Sequence, residues 1–262
     1  MSKSVPSKYL ISGRIDDFFA GTFEAFKFLI RFFKEAFKKP FHFREIINQS
    51  YEIGIKSLGL ITLTGFIVGI VFTKQSRPSL ESFGATSWLP SLIGIATIRA
   101  LGPLVTALVC AGKVGSGIGA ELGSMRVSEQ IDAMEVSAIN PFKYLVVTRV
   151  FGATISILVL SLYYSFVGLL GSYINIDANE GMSLMSFLQN TFKDIGFLDI
   201  STSFVKAVTY GFTIGMVGSF KGFNATQGTR GVGLAANQAV VLAIFLIFIE
   251  ELIIVQVANV FR

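Results

Sequence analysis

The sequence predicts an all-α, polytopic membrane protein. Two observations carry this expectation. Only 15% of the 262 residues are charged while 52% are hydrophobic, whereas soluble domains carry about 25% charged residues; mean hydropathy is +0.65. The apolar residues also gather into five runs near the roughly 20 residues that a membrane helix needs. The expected division is a polar N-terminal tail (1–13), an interfacial amphipathic helix with its connector (14–52) and a transmembrane domain (53–262).

Residues 14–39 read as one long helix. Phe18, Phe19, Phe23, Phe26, Leu29, Ile30, Phe33 and Phe37 recur at threes and fours, interrupted by Lys27, Arg31, Lys34, Lys38 and Lys39. That is too much charge for a span, and it suits a helix lying among headgroups or packed on the rest of the chain. Pro40 ends it. The first span is expected over 53–73, with Gly65 and Gly69 spaced for close helix approach, and a polar loop over 74–87. Trp88 marks an interface and opens a second span running to Cys110, interrupted by Arg99 and Pro103. A third span covers 144–174. A polar, acidic segment (175–200) follows, with a short helix near 185–192. The fourth span is expected over 204–220, with Gly211, Gly215, Gly218 and Gly222 along one side. After a glycine-rich turn, the fifth covers 236–260.

Lys and Arg placement sets the orientation. Segments 1–52, 111–143 and 221–234 carry nine, three and two Lys/Arg, and segments 74–87, 175–200 and 261–262 carry two, one and one. The N-terminus is therefore expected in the cytoplasm and the C-terminus outside, and the net charge of +5 reads as a topology and anionic-lipid signal rather than one for nucleic acid. The lone Cys110 and lone His42 exclude a disulfide framework and a cysteine-rich or histidine-cluster metal site. No cleavable leader is visible in the Lys-rich, aromatic first apolar stretch.

The residues between the second and third spans, 111–142, form the longest polar interval, and they are not composed like a loose loop. Glycines stand at 112, 115, 117, 119 and 123. Glu121, Arg126, Glu129, Gln130, Asp132 and Glu135 then interleave with Leu122, Met125, Val127, Ile131, Met134 and Val136. Ile131, Met134 and Val136 keep one side apolar at roughly a helical period, and Asn140-Pro141 is expected to stop the helix. Two readings stay open: a docking helix for a partner, or a solvated connector. The glycines favour close helix packing over phosphate binding. No GxxxxGK[ST] loop is present to cradle nucleotide phosphates, so ATP and Mg, if used, belong to a partner chain, and this chain holds no cofactor and is no enzyme.

Arg99, Lys206, Glu250 and Glu251 fall in or near the hydrocarbon, where charges cost a few kcal/mol each and usually face a cavity or partner. Lys206 is expected to snorkel outward, and at least one carboxylate to meet Arg99 or Lys206. These charges fit an ion pair fixing helix packing and a role in substrate passage equally. Three functions remain compatible with the residues: a permease driven by a separate ATPase, a gradient-driven transporter using the intramembrane charges, and a non-transporting membrane scaffold.

The runs Arg99-Ala-Leu-Gly-Pro-Leu, Ala111-Gly-Lys-Val-Gly-Ser and Ala120-Glu-Leu-Gly-Ser-Met-Arg-Val-Ser-Glu-Gln-Ile-Asp-Ala-Met-Glu, followed by Asn140-Pro141, closely resemble the MlaE permease family, the membrane subunits of Mla/MCE-type ABC transporters. The likeness continues through Thr148-Arg149 and the turn beginning Lys221-Gly-Phe, over about residues 45–258. It implies a homodimer of five-span subunits in the inner membrane. A cytoplasmic ABC ATPase dimer would dock on Glu121, Met125, Arg126, Glu129, Gln130, Asp132 and Met134. A periplasmic MCE-domain protein would sit above, and phospholipid would be carried in a cavity between subunits. The segment containing Gly69, Phe72 and Gln75 resembles the family's cavity lining, with Phe72, Leu80 and Phe83 as lipid contacts. One departure stands out. The family commonly has an acidic residue directly after the arginine, where this chain has Ala100, so Glu250 or Glu251 is expected to substitute by pairing with Arg99 or Lys206.

Overall fold

Each apolar run folds as a helix that outlasts its hydrophobic stretch. A computed structural model describes residues 7–226 and 228–261. It contains α1 (Ser7–Ala36), α2 (Phe43–Ser82), α3 (Thr86–Val127), α4 (Gln130–Val136), α5 (Phe142–Glu180), α6 (Leu184–Lys193), α7 (Phe197–Phe223) and α8 (Thr229–Val260). The all-α membrane architecture is as expected: α2, α3, α5 and α8 are long and apolar enough to cross a membrane. The 27-residue α7 is about 40 Å long at 1.5 Å per residue, although its glycines and charges dilute its hydropathy.

Side-chain contacts fix the relative directions. On α2 and α5 the partners lie about a hundred residues apart in register: the Ser156 hydroxyl donates to the Ser50 carbonyl, Thr62 and Tyr163 hydroxyls meet at 2.9 Å, and the Ser172 hydroxyl donates to the Gly69 carbonyl. These two helices are therefore parallel, and they share the largest interface in the molecule. Between them lies the Gly65/Gly69 groove. A Cβ on Gly69 would stand 2.1 Å from the Gly168 carbonyl oxygen, so only glycine admits this approach. The helix for which the spacing makes room is the chain's own α5. Helix α7 runs opposite to α5, with Gly211 against Thr154 and Gly215 against Val150. It runs alongside α3, with Gly218 and Gly222 against Ile118 and Leu122. Helix α5 is the centre of the bundle: 67% of its apolar window is buried, against 11% for α8.

Several boundaries differ from expectation. Residues 7–13, expected in a polar tail, are helical; 1–6 lie outside the described residues. Helix α1 packs on the rest of the chain along one side and leaves an aromatic side exposed. Phe28, Phe32 and Ala36 are buried against Phe142, Val146, Val150 and Met216, while Phe19, Phe23, Phe26, Phe33 and Phe37 are exposed. The loop expected over 74–87 is mostly helix, since α2 continues through Pro78 to Ser82. Proline removes one donor there, but Arg77 pairs with Glu180 of α5 at 3.3 Å and Leu80 packs on a buried cluster around Leu89 and Ile176.

The central stretch departs furthest. Its first half is no separate helix: α3 runs on to Val127, broken only by π turns at Thr97–Leu101 and Ala111–Gly115. Glu129, at φ 58° in the left-handed region, ends that rod and aims the short α4 away. The stop comes at Val136, before Asn140-Pro141. Ala138 is left-handed (φ 59°), and Asn140 Oδ1 accepts the Lys143 N–H at 3.2 Å. Asn-Pro here starts α5, as a side-chain cap with proline in the first turn does.

Candidate functional site

Three helices bring the intramembrane charges together. Arg99 sits in the π turn of α3, a wide turn common at functional sites. Its Nη1 lies 3.5 Å from Asp199 Oδ1 on α7, and its Nη2 donates to Asn259 Oδ1 on α8 at 3.1 Å. Two turns further along α7, Lys206 Nζ donates to Glu251 Oε1 at 2.6 Å and to the Arg99 carbonyl at 3.3 Å. Tyr210 donates its hydroxyl proton to the other oxygen of Glu251. Deepest of all, Thr213 donates to Glu250, whose second oxygen is buried without a partner. The result is a ladder of polar contacts along the α3–α7–α8 seam.

The expected meeting of a carboxylate with Lys206 is present, and the carboxylate is Glu251. Glu250 touches neither cation. The snorkelling expected of Lys206 is not found: the residue is 1% exposed and turns inward, where the Glu251 carboxylate and the Arg99 carbonyl lie within reach. Arg99 finds its counter-charge in Asp199 rather than in either glutamate. Asp199, Asn259, Tyr210 and Thr213 were not singled out from sequence. A signal existed for three of them, since Asp199, Lys206, Tyr210 and Thr213 recur at helical spacing on one face of α7.

At the opposite end, α3 and α4 form an elbow. Its inner side is small and apolar. Gly119 lies against Ala235, Ala236 and Ala239 of α8, and Gly123 against Val232; Leu122 and Ile131 are fully buried. Glu121 receives Arg149 Nη2 at 2.7 Å, with the arginine buried and the glutamate half exposed. Arg126 pairs with Asp132 across the bend at 2.5 Å. Glu129, Gln130 and Glu135 are exposed, and Met125 and Met134 are half-buried. Val136, expected on the apolar face, is 90% exposed, because the early end of α4 turns it outward.

The three suggested lipid contacts separate. Phe72 and Leu80 pack against Leu89, Ile93, Leu169, Ile176 and Phe187, whereas Phe83, at the end of α2, is 83% exposed.

The fold and the site define an all-α polytopic membrane protein with a charged seam at one end and an exposed elbow at the other. More narrowly, the family model Permease MlaE matches residues 46–257, so the chain belongs to the MlaE permease family and is the membrane subunit of an ABC transporter, whose ATPase is a separate subunit. It is 32% identical to a probable ABC transporter permease of Rickettsia prowazekii over 90% of each chain. It is 32% identical to the intermembrane phospholipid transport system permease protein MlaE of Haemophilus influenzae over 77% of this chain and 78% of that one. It is 31% identical to the chloroplastic protein trigalactosyldiacylglycerol 1 of Arabidopsis thaliana over 97% of this chain and 70% of that one.

Proposed function

We propose that two copies of this chain move phospholipid between the inner membrane and a periplasmic MCE-type carrier, driven by a cytoplasmic ABC ATPase dimer that binds ATP and Mg. The carrying observation is the α3 rod. One helix links Arg99, in the charged seam, to the elbow at Glu129, about 45 Å away at 1.5 Å per residue. A push on the elbow is thereby delivered to the seam along a continuous helix. The printed role of the Haemophilus relative in intermembrane phospholipid transport supports the cargo. Five crossings, with the N-terminus cytoplasmic and the C-terminus periplasmic, are supported by the Lys/Arg bias and by the full-length antiparallel fit of α7 against α5 and α8.

The ATPase-docking surface is the elbow: Met125, Arg126, Glu129, Gln130, Asp132 and Met134, with Glu135 and Val136 at its tip. Glu121 belongs to it only indirectly, because its carboxylate is engaged by Arg149 of the same chain. Pull-down from mild detergent tests this. Tagged wild type should retain an ATPase subunit, and Glu129→Lys/Val136→Asp should lose it while keeping the wild-type elution profile. An ATPase retained equally by both would refute the elbow as its grip.

A further inference from the structure

Helix α6 has more apolar surface than the bundle uses. Phe187 and Thr191 are its buried residues. Phe187 meets the Tyr173 ring of α5 with centroids 5.4 Å apart, and Thr191 lies against Gly94 of α3, where a Cβ would stand 2.6 Å away. Beside this buried line, Leu184, Met185, Leu188 and Phe192 are exposed, the last two by 36% and 50%.

The depth of α6 is set by what it touches. Tyr173 lies seven residues before the end of α5, and Gly94 eight residues after the start of α3, so both contacts fall about 10 Å inside the helix ends. Helix α6 is therefore folded back along the flank of the spans instead of capping them. On the two helices that α6 packs against, Leu92 of α3 and Phe166, Leu170 and Ile174 of α5 are exposed as well. Exposed aromatic residues stand at the same end of the bundle: Phe83, Trp88 and Phe197 are 83%, 70% and 87% exposed. Lys193 and Asp194 close the helix, and Asp194 accepts a hydrogen bond from Ser91 at 2.5 Å. An amphipathic helix at this depth with exposed aromatic residues at its end of the bundle has the make-up of an interfacial anchor.

We propose that α6, with Phe83, Trp88 and Phe197, is bedded in the leaflet opposite α1, and that its occupant is the upper acyl-chain region of phospholipid. It gives the permease a second interfacial helix. This goes beyond the transport reading and needs only that the chain spans a membrane.

Trp88 is the sole tryptophan, so its fluorescence reports on this patch alone. The full chain is reconstituted into phosphatidylethanolamine/phosphatidylglycerol vesicles carrying chains brominated near the glycerol, and separately exposed to aqueous iodide. Brominated lipid should quench Trp88 at least about twofold, with iodide acting weakly, as for an aromatic-belt residue. A Trp88→Phe/Phe192→Trp variant, carrying the reporter on α6 itself, should behave alike. Dominant iodide quenching at both positions would show a water-facing patch free for a protein partner. Insensitivity to both quenchers would show burial under a second copy. Either outcome overturns the proposal, and neither bears on ATPase binding or lipid movement.

Discussion

At the Arg99 end of the bundle α7 is joined to α3 and α8 by charge; at the Glu121 end, beside the Arg149–Glu121 pair, α7 and α8 pack on α3 through glycines. Along the seam, Lys206, Glu251 and Tyr210 exchange hydrogen bonds across α7 and α8. Near the elbow, Gly222 approaches the Gly119 carbonyl so closely that a Cβ would stand 2.8 Å from it. Glycine contacts depend on shape and tolerate little sliding, whereas hydrogen-bonded charges can exchange partners at similar energy. The contrast assigns rigidity to the elbow end, where force would enter, and adaptability to the seam. Arg99, Lys206 and Glu251 each engage two partners.

The largest test of that contrast removes one charge. Lys206→Met leaves the half-buried Glu251 with Tyr210 as its remaining partner; breaking a fully buried pair costs about 3–5 kcal/mol, which is the upper bound here. Thermal unfolding in detergent should show the loss, and Lys206→Met/Glu251→Met should recover most of it. A single variant as stable as wild type would mean that the seam does not hold the helices together. Next come the glycines. Gly222→Ala should cost about 1–3 kcal/mol through overpacking, since Leu122 Cβ would stand 2.7 Å from the new methyl. Gly117→Ala, with nothing within 4 Å, should instead stabilise by about 0.5–1 kcal/mol. Equal signs for the two would dissolve the distinction between packed and free glycines.

The smallest effect concerns α1. Glu35 accepts from Lys38 Nζ at 2.6 Å and from Asn140 Nδ2 at 3.0 Å, pinning α1 to the start of α5. The hydrogen bond from Lys38, opposed by desolvation and aided by the charges of Lys38, Lys143 and Arg31, holds its carboxyl below the ordinary 4.5. A depressed carboxylate stabilises the fold above its unfolded value and loses that contribution as pH falls through the folded one. Protease sensitivity of α1 should therefore stay flat between about pH 5 and 8 and rise only under more acid conditions. Glu35→Gln should remove the acid-dependent part.

Spans were legible in sequence because hydropathy averaged over about 20 residues is insensitive to neighbours. Ends were not, because tertiary contacts set them. Arg77 and Leu80 carry α2 past Pro78, and the left-handed Glu129 breaks an amphipathic pattern that reads as one helix. The charges were visible individually, and a Lys206–carboxylate pair was foreseeable. Asp199 was read only as part of a polar loop because it precedes the apolar run; its helical spacing with Lys206 and Tyr210 was the one signal that α7 begins early enough to carry it beside Arg99. Val136 was misplaced because its face depended on how long α4 runs.

The parallel pairing of α2 with α5 also bears on how the protein is made. The partner of the Gly65/Gly69 groove is encoded about a hundred residues later. At about 5–20 residues per second, synthesis leaves α2 in the membrane for roughly 5–20 s before Tyr164 and Gly168 exist. During that interval its glycine groove faces lipid or another nascent helix. Biogenesis therefore includes an obligatory waiting state, in which the first span is inserted but unpartnered and is finished only when the third arrives.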